Sequence, residues 1–102
     1  MSSSPEIPKD PPRIAGPVAR PSVPRERPPL NAWDAHAHIF GPSDKFPYTA
    51  GRGYTPPDAP VERYIALLDH LGFTRGVLVQ GNAHGFDNRV LLDALARYPQ
   101  RL

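Results

Sequence analysis

His36 and His38 lie one residue apart in Trp33-Asp-Ala-His-Ala-His38. In an extended strand that spacing puts both imidazoles on one face. Two ring nitrogens on one face can converge on a single metal ion or on a single substrate carbonyl. Asp34 shares the face and can accept a ring N–H, the usual way a carboxylate orients an imidazole. Ala35 and Ala37 take the other face, where small side chains let a helix approach. The bare alternation of two histidines is weak. Its place at the end of a first strand, just before a glycine-containing loop, is where parallel α/β folds keep their active sites.

A second group follows the next apolar run. Asn82 and His84 lie just past Val77-Leu-Val-Gln80, so the same geometry hangs both over the mouth. The plainer reading makes Asn82 a turn residue and His84 an exposed side chain. Tyr54, in Gly51-Arg-Gly-Tyr-Thr-Pro56, can fold over the mouth and offer a phenolic donor, or can simply pack the loop. Arg52 reads as a solvated loop charge. His70 reads as a structural residue at a helix C-terminus, where positive charge is favourable.

Four elements must position these groups. A strand over residues 30–38 is bounded by Pro28-Pro29 and Gly41-Pro42. Residues 41–57 form a long loop whose Phe46, Tyr48 and Tyr54 predict packing over something beneath. A helix follows, with Asp58 as its cap and Pro60 in its first turn. Its apolar face is Val61, Tyr64, Ile65, Leu68 and Leu71, and Gly72 ends it. Thr74–Gln80 is a strand covered on both faces. A second helix, capped by Asp87 or Asn88, buries Val90, Leu91, Ala94, Leu95 and Tyr98 and stops at Pro99. Strand, helix, strand, helix is the order of right-handed units on a parallel sheet. Two strands and two helices do not cover such a sheet, so the chain reads as cut rather than finished.

Composition narrows the classes. Nine of the 15 prolines fall in residues 1–29, which also hold five basic and three acidic side chains. Residues 30–102 carry seven of each. The formal charge of +2 therefore belongs to the proline-rich part, and nucleic-acid binding by the rest is not expected. Residues 1–29 have too few large apolar side chains to offset their ordering entropy and read as a disordered extension of polyproline II character. Arg20-Pro-Ser-Val-Pro24-Arg25 has PxxP spacing. Any proline-rich stretch produces such a match by chance, so the extension is not taken as a protein ligand. No run approaches the roughly 20 apolar residues of a membrane helix, and no apolar signal core follows Met1. Zero cysteines exclude a thiolate zinc site and fit a reducing compartment, the cytoplasm.

Several of these pieces together resemble the amidohydrolase superfamily, in its amidohydrolase-related family 2 and the branch that includes 2-pyrone-4,6-dicarboxylate lactonase. They are Trp33–Pro42, Lys45-Phe-Pro-Tyr48, Tyr54-Thr-Pro56, Asp69–Phe73, Val77–Gln80, His84-Gly85 and Asp87-Asn-Arg89, in order along residues 30–102. The resemblance implies the N-terminal fragment of a (β/α)8 TIM barrel, with strand-helix-strand-helix as its first two units and the site at the strand C-termini. It also implies hydrolysis of a carboxylated lactone in aromatic-compound catabolism. His36 and His38 become the catalytic pair, Tyr54, Asn82 and His84 substrate contacts, and Asp34 the residue behind the pair. No cofactor is required in the lactonase branch, where the imidazoles hydrogen-bond the substrate carbonyl. In metal-using relatives the same pair ligates one divalent ion, zinc or manganese. Relatives more often carry a small hydroxyl residue where Asn82 stands. The resemblance places the general-base aspartate and the substrate arginines on later strands, so the 102-residue chain is expected to be inactive alone. Two other readings remain open: a lactone isomerase or metal-dependent decarboxylase on the same barrel, and a non-catalytic interaction module with a proline-rich arm.

Overall fold

The computed structural model describes residues 11–102; the first ten residues of the proline-rich extension lie outside them. Strand β1 is Trp33–Ala37, helix α1 Val61–Leu71, strand β2 Arg75–Leu78 and helix α2 Arg89–Arg97, with a 3₁₀ turn at Asn82–His84. The expected order is present. The two strands pair in parallel, Trp33 with Arg75, Asp34 with Gly76 and Ala37 with Leu78, with an irregularity between Asp34 and Ala37. That break alters the simple alternation along β1. Asp34 and Ala37 are both half-buried, whereas His36 is exposed.

Helix α1 forms where the apolar spacing demands it: Val61, Tyr64 and Leu68 are buried on one face. Its first turn differs from expectation. Asp58 does not cap it; Pro60 is the N-cap residue and no side chain bonds the end. The Asp58 carboxylate instead accepts the Ser43 N–H at 3.2 Å and the Tyr48 hydroxyl at 2.7 Å. A carboxylate closing the loop satisfies two donors that a helix end would leave to solvent. The stop is as expected. Gly72 has φ +88°, a left-handed conformation that costs glycine little, and its N–H reaches the Leu68 carbonyl.

The core joins Ile39, Phe46, Val61, Tyr64, Leu68, Val90 and Ala94. Both helices meet there, together with the loop that carries Phe46. Two expectations about burial fail. Leu95, on α2 with the exposed Leu92, is 42% exposed, and Val77 on β2 is 40% exposed. Helix α2 turns only Val90 and Ala94 fully inward, and β2 is covered on one face. Among the described residues no helix is long and apolar enough to cross a membrane.

Residues 11–29 contain no helix or strand beyond a single bridge, Arg13 to Thr55. They follow α1: Gly16 lies against Pro57, the Ser22 carbonyl meets the His70 ring at 3.0 Å, and Arg27 with Pro28 sits beside Gly72. His70 thus holds the extension through a bond that its place at the helix end did not suggest.

Gly76 is the tightest point between helix and sheet. A Cβ there would overlap the Tyr64 phenol. Gly76→Ala is therefore expected to lower stability by about 1–3 kcal/mol through overpacking. A urea melt followed by circular dichroism checks it, and an unchanged midpoint contradicts the close approach.

Candidate functional site

The pair expected to carry chemistry sits where β1 ends. His36 and His38 present their rings edge to face, with centroids 5.0 Å apart. The His38 Nδ1 lies 2.9 Å from the Val79 carbonyl oxygen. A carbonyl only accepts, so Nδ1 carries the proton and donates it. The opposite nitrogen, Nε2, is left for a ligand. Backbone pairing supports this bond, because the Val79 N–H donates to the Ala37 carbonyl at 2.8 Å. The residue just after β2 therefore sets both the tautomer and the direction of the side chain just after β1.

Asp34 is near the pair but acts differently from expectation. Its Oδ2 accepts the Tyr64 hydroxyl at 2.7 Å, and its Oδ1 lies 3.4 Å from the His36 backbone N–H. Neither bond goes to a histidine ring. The irregular register after Asp34 turns its carboxylate towards α1, so it holds the backbone of His36 and anchors the helix. Burial, and then the bond to Asp34, push the Tyr64 phenol well above its ordinary value, so it remains a donor at neutral pH.

Phe40 continues the alternation of residues 36 and 38. Its ring is 6.1 Å from His38, 6.1 Å from Tyr54 and 6.2 Å from His84. Sequence reasoning passed it over, although its two-residue step from His38 was a usable signal. Phe40 connects the histidine pair to the long loop and is held by reciprocal backbone bonds with Ala59. Tyr54 packs edge-on against it, half-buried. Asn82 turns its side-chain oxygen to the Gly53 N–H at 2.7 Å, which fixes the residue before Tyr54. Arg52 is not a solvated charge. Its guanidinium bonds Thr55 and the Thr49 carbonyl within the loop.

His84 does not stand in the mouth. It is 2% exposed, and its Nε2 accepts the Gly41 N–H at 3.1 Å. The ring stacks on Phe40 and meets Tyr48 at 5.1 Å. Burial lowers its pKa, opposed by the weaker pull of the Pro47 backbone and of Asp87 and Asp58. It is a neutral acceptor beneath the loop, and the geometry gives it no direct approach to a ligand beside His38.

A groove of about 570 Å³ opens beside the pair, between β1, α1 and the extension. His36, His38, Asp34 and Arg63 line it together with Pro17 and Val18. Two imidazoles, a guanidinium and an apolar wall suit a small ligand that carries a carbonyl and negative charge. His36 and His38 can supply two ligands to a divalent ion. Among the described residues no group of three or more histidine, aspartate or glutamate side chains converges to hold one, and a catalytic zinc takes three protein ligands. The pair alone does not make a complete shell.

Comparison with known proteins gives a family and several relatives. Residues 33–102 match the family described as Amidohydrolase. The chain is 50% identical over 91 residues to a 4-sulfomuconolactone hydrolase of Rhizobium radiobacter, covering 89% of this chain and 30% of that protein. It is 51% identical over 76 residues to a 2-pyrone-4,6-dicarboxylate hydrolase of Comamonas testosteroni, covering 74% and 25%. Among solved structures, a probable 2-pyrone-4,6-dicarboxylic acid hydrolase of Acinetobacter baumannii with citric acid bound superposes with a TM-score of 0.64. Its identity is 39%, over 72% of this chain and 27% of that one. The chain thus spans less than a third of the length of the curated relatives it matches.

The buried His84 gives a pH dependence with a definite sign. Its folded-state pKa lies below the ordinary 6.5, so the folded chain resists a proton that the unfolded chain accepts. Stability is full above about pH 6.5 and falls as the pH drops through the lowered folded value. Urea midpoints at pH 7 and pH 5 should show the decline. His84→Asn, which can still accept the Gly41 N–H but does not titrate, should flatten it. An equal decline in both chains rejects His84 as the source.

Proposed function

The chain belongs to the amidohydrolase family, and on that premise we propose that it is the N-terminal portion of a lactone hydrolase. In this reading residues 30–102 are the first two units of a (β/α)8 barrel and residues 1–29 an extension before it. The exposed Val77, Leu92 and Leu95 support it, since they leave apolar surface that further units would cover. The substrate is a small lactone bearing carboxylates, and the protein works in the cytoplasm. The observation that carries the proposal is the His38 ring: bonded through Nδ1 to Val79 and set 5.0 Å from His36, it lines a groove that Arg63 also lines.

The reaction is attack of water on the lactone carbonyl carbon. The carbonyl oxygen gains negative charge as the C–O bond to water forms. The ring C–O bond then breaks, and the departing oxygen takes a proton to give the ring-opened acid. Donors placed where that charge develops lower the barrier. With Nδ1 already donating to Val79, His38 can donate at Nε2 only as the imidazolium. His36 can donate in either charge state. Tyr54 offers a further donor from the loop. The carboxylates near the mouth are already engaged, Asp34 by Tyr64 and Asp58 by Tyr48 and Ser43. Neither is free to take the proton from water, which supports the reading that the 102-residue chain is inactive alone. A divalent ion bound at the pair would supply polarisation of the carbonyl; the residues described do not complete its shell.

A chimera tests the proposal directly. Residues 30–102 replace the matching segment of the Comamonas testosteroni hydrolase, and ring opening is followed by ultraviolet absorbance. The folded chimera should open the lactone, and His38→Gln should lower kcat by roughly 100- to 1,000-fold, the loss typical of one oxyanion donor. Tyr54→Phe should raise KM by about tenfold at most, as for one hydrogen bond. Activity that survives chelation supports direct action by the imidazoles. Activity lost to chelator and restored by zinc or manganese assigns the pair to an ion. A chimera that folds but leaves the lactone intact overturns the reading.

A further inference from the structure

We propose that residues 11–29 are a built part of the ligand groove: Pro11–Ile14 clamp the loop that carries Tyr54, and Pro17–Pro21 form a wall opposite α1, beside His36 and His38. The proposal rests on the reading above in taking this groove as the place where ligand binds and Tyr54 as a substrate contact.

The clamp is specific. Thr55 directly follows Tyr54, and every hydrogen-bonding group of Thr55 is engaged. Its N–H donates to the Pro12 carbonyl at 2.6 Å and its carbonyl accepts the Ile14 N–H at 3.1 Å. Its hydroxyl donates to the Pro11 carbonyl at 3.1 Å and accepts from the Arg52 guanidinium at 3.1 Å. Asn82 holds Gly53 on the other side of Tyr54. The tyrosine is therefore fixed between two anchors, one from β2's loop and one from the extension. Pro17, Val18, Ala19 and Pro21 then line the groove together with His36 and His38. The Ser22 carbonyl bonds His70, which also lines the groove, and Arg27 with Pro28 meets Gly72.

Proline suits this work. A polyproline II chain keeps its carbonyls free of internal bonds, and prolyl carbonyls supply two of the acceptors for Thr55. Pre-set φ angles also reduce the entropy lost when a segment is held in one conformation. A second observation is independent of the geometry. The 91-residue alignment with the Rhizobium radiobacter hydrolase is longer than the whole of residues 30–102, so it runs into the proline-rich segment. At least part of the extension is shared with that lactone hydrolase.

Thr55 is accordingly a positioning residue for Tyr54, and Val18 a wall residue. The chain has no cysteine, so Val18→Cys offers one clean attachment point for a nitroxide on the 102-residue protein, at a side chain 74% exposed. Nuclear magnetic resonance should show the His36, His38 and Arg63 signals broadened while those of Leu92 and Ala96 on α2 stay sharp. In the unlabelled chain the Thr55 and Ile14 amides should exchange at least about tenfold more slowly than free-chain amides. In the lactonase chimera rebuilt with residues 1–102, Ile14→Pro, which removes one bridge donor, should raise KM by about threefold with kcat unchanged. Ile14→Val should leave both unchanged. Uniform broadening, free-chain exchange at Thr55, or equal KM for both substitutions overturns the proposal. Broadening and slow exchange in a chimera that opens no lactone reject the substrate assignment and keep the extension in the groove.

Discussion

The Tyr64 phenol, driven down between Asp34 and Gly76, is the contact on which the rest of the chain depends. It belongs to α1, it rests where β2 has no side chain, and it donates to a carboxylate on β1. One ring therefore joins the helix to both strands. The same carboxylate lies behind the His36 backbone, so the direction of the histidine pair is tied to helix packing. Glycine at position 76 is what permits the approach, and the absence of a side chain there is as much a part of the site as the imidazoles.

The four histidines show how little residue type alone decides. His36 and His38 stand at the strand end, and among the described residues one ring nitrogen of His38 has no hydrogen-bond partner. His84 is buried and accepts one loop N–H, and His70 holds the extension against the end of α1. Burial, and the partner on the second ring nitrogen, separate these roles. The loop between β1 and α1 shows a similar division. Asp58, Asn82 and Arg52 each spend their polar atoms on loop backbone or loop hydroxyls. Polar residues around the mouth mostly build the frame, whereas the pair and Arg63 line the groove.

The element order was legible because apolar periodicity is a local signal. Val61, Tyr64 and Leu68 repeat at helical spacing, Gly72 marks the end, and both survive in the folded chain. The pair at His36 and His38 was legible for a similar reason, since two-residue spacing near a strand end restricts direction. Errors gathered where a side chain chose between local and distant partners. Asp58 looked like a cap but found Tyr48 and Ser43; Asp34 looked like a ring acceptor but found Tyr64. Leu95 looked inward by spacing, yet α2 buries only Val90 and Ala94 and leaves it outside. Phe40 carries the same two-residue step from His38, and its ring lies 6.1 Å from that imidazole.

By itself the sequence determined four elements in order, the histidine pair, and a proline-rich segment that carries the net charge. Each follows from spacing or composition within a short stretch, which needs no knowledge of what lies across the fold. Tertiary structure alone decided that Val79 sets the His38 tautomer, that His84 lies beneath the loop, and that Thr55 is held by residues some 40 positions earlier in the chain. Those outcomes depend on hydrogen-bond partners brought together by the parallel pairing of β1 and β2 and by the path of the extension along α1. A donor's nearest acceptor in space is not written in its neighbours in sequence.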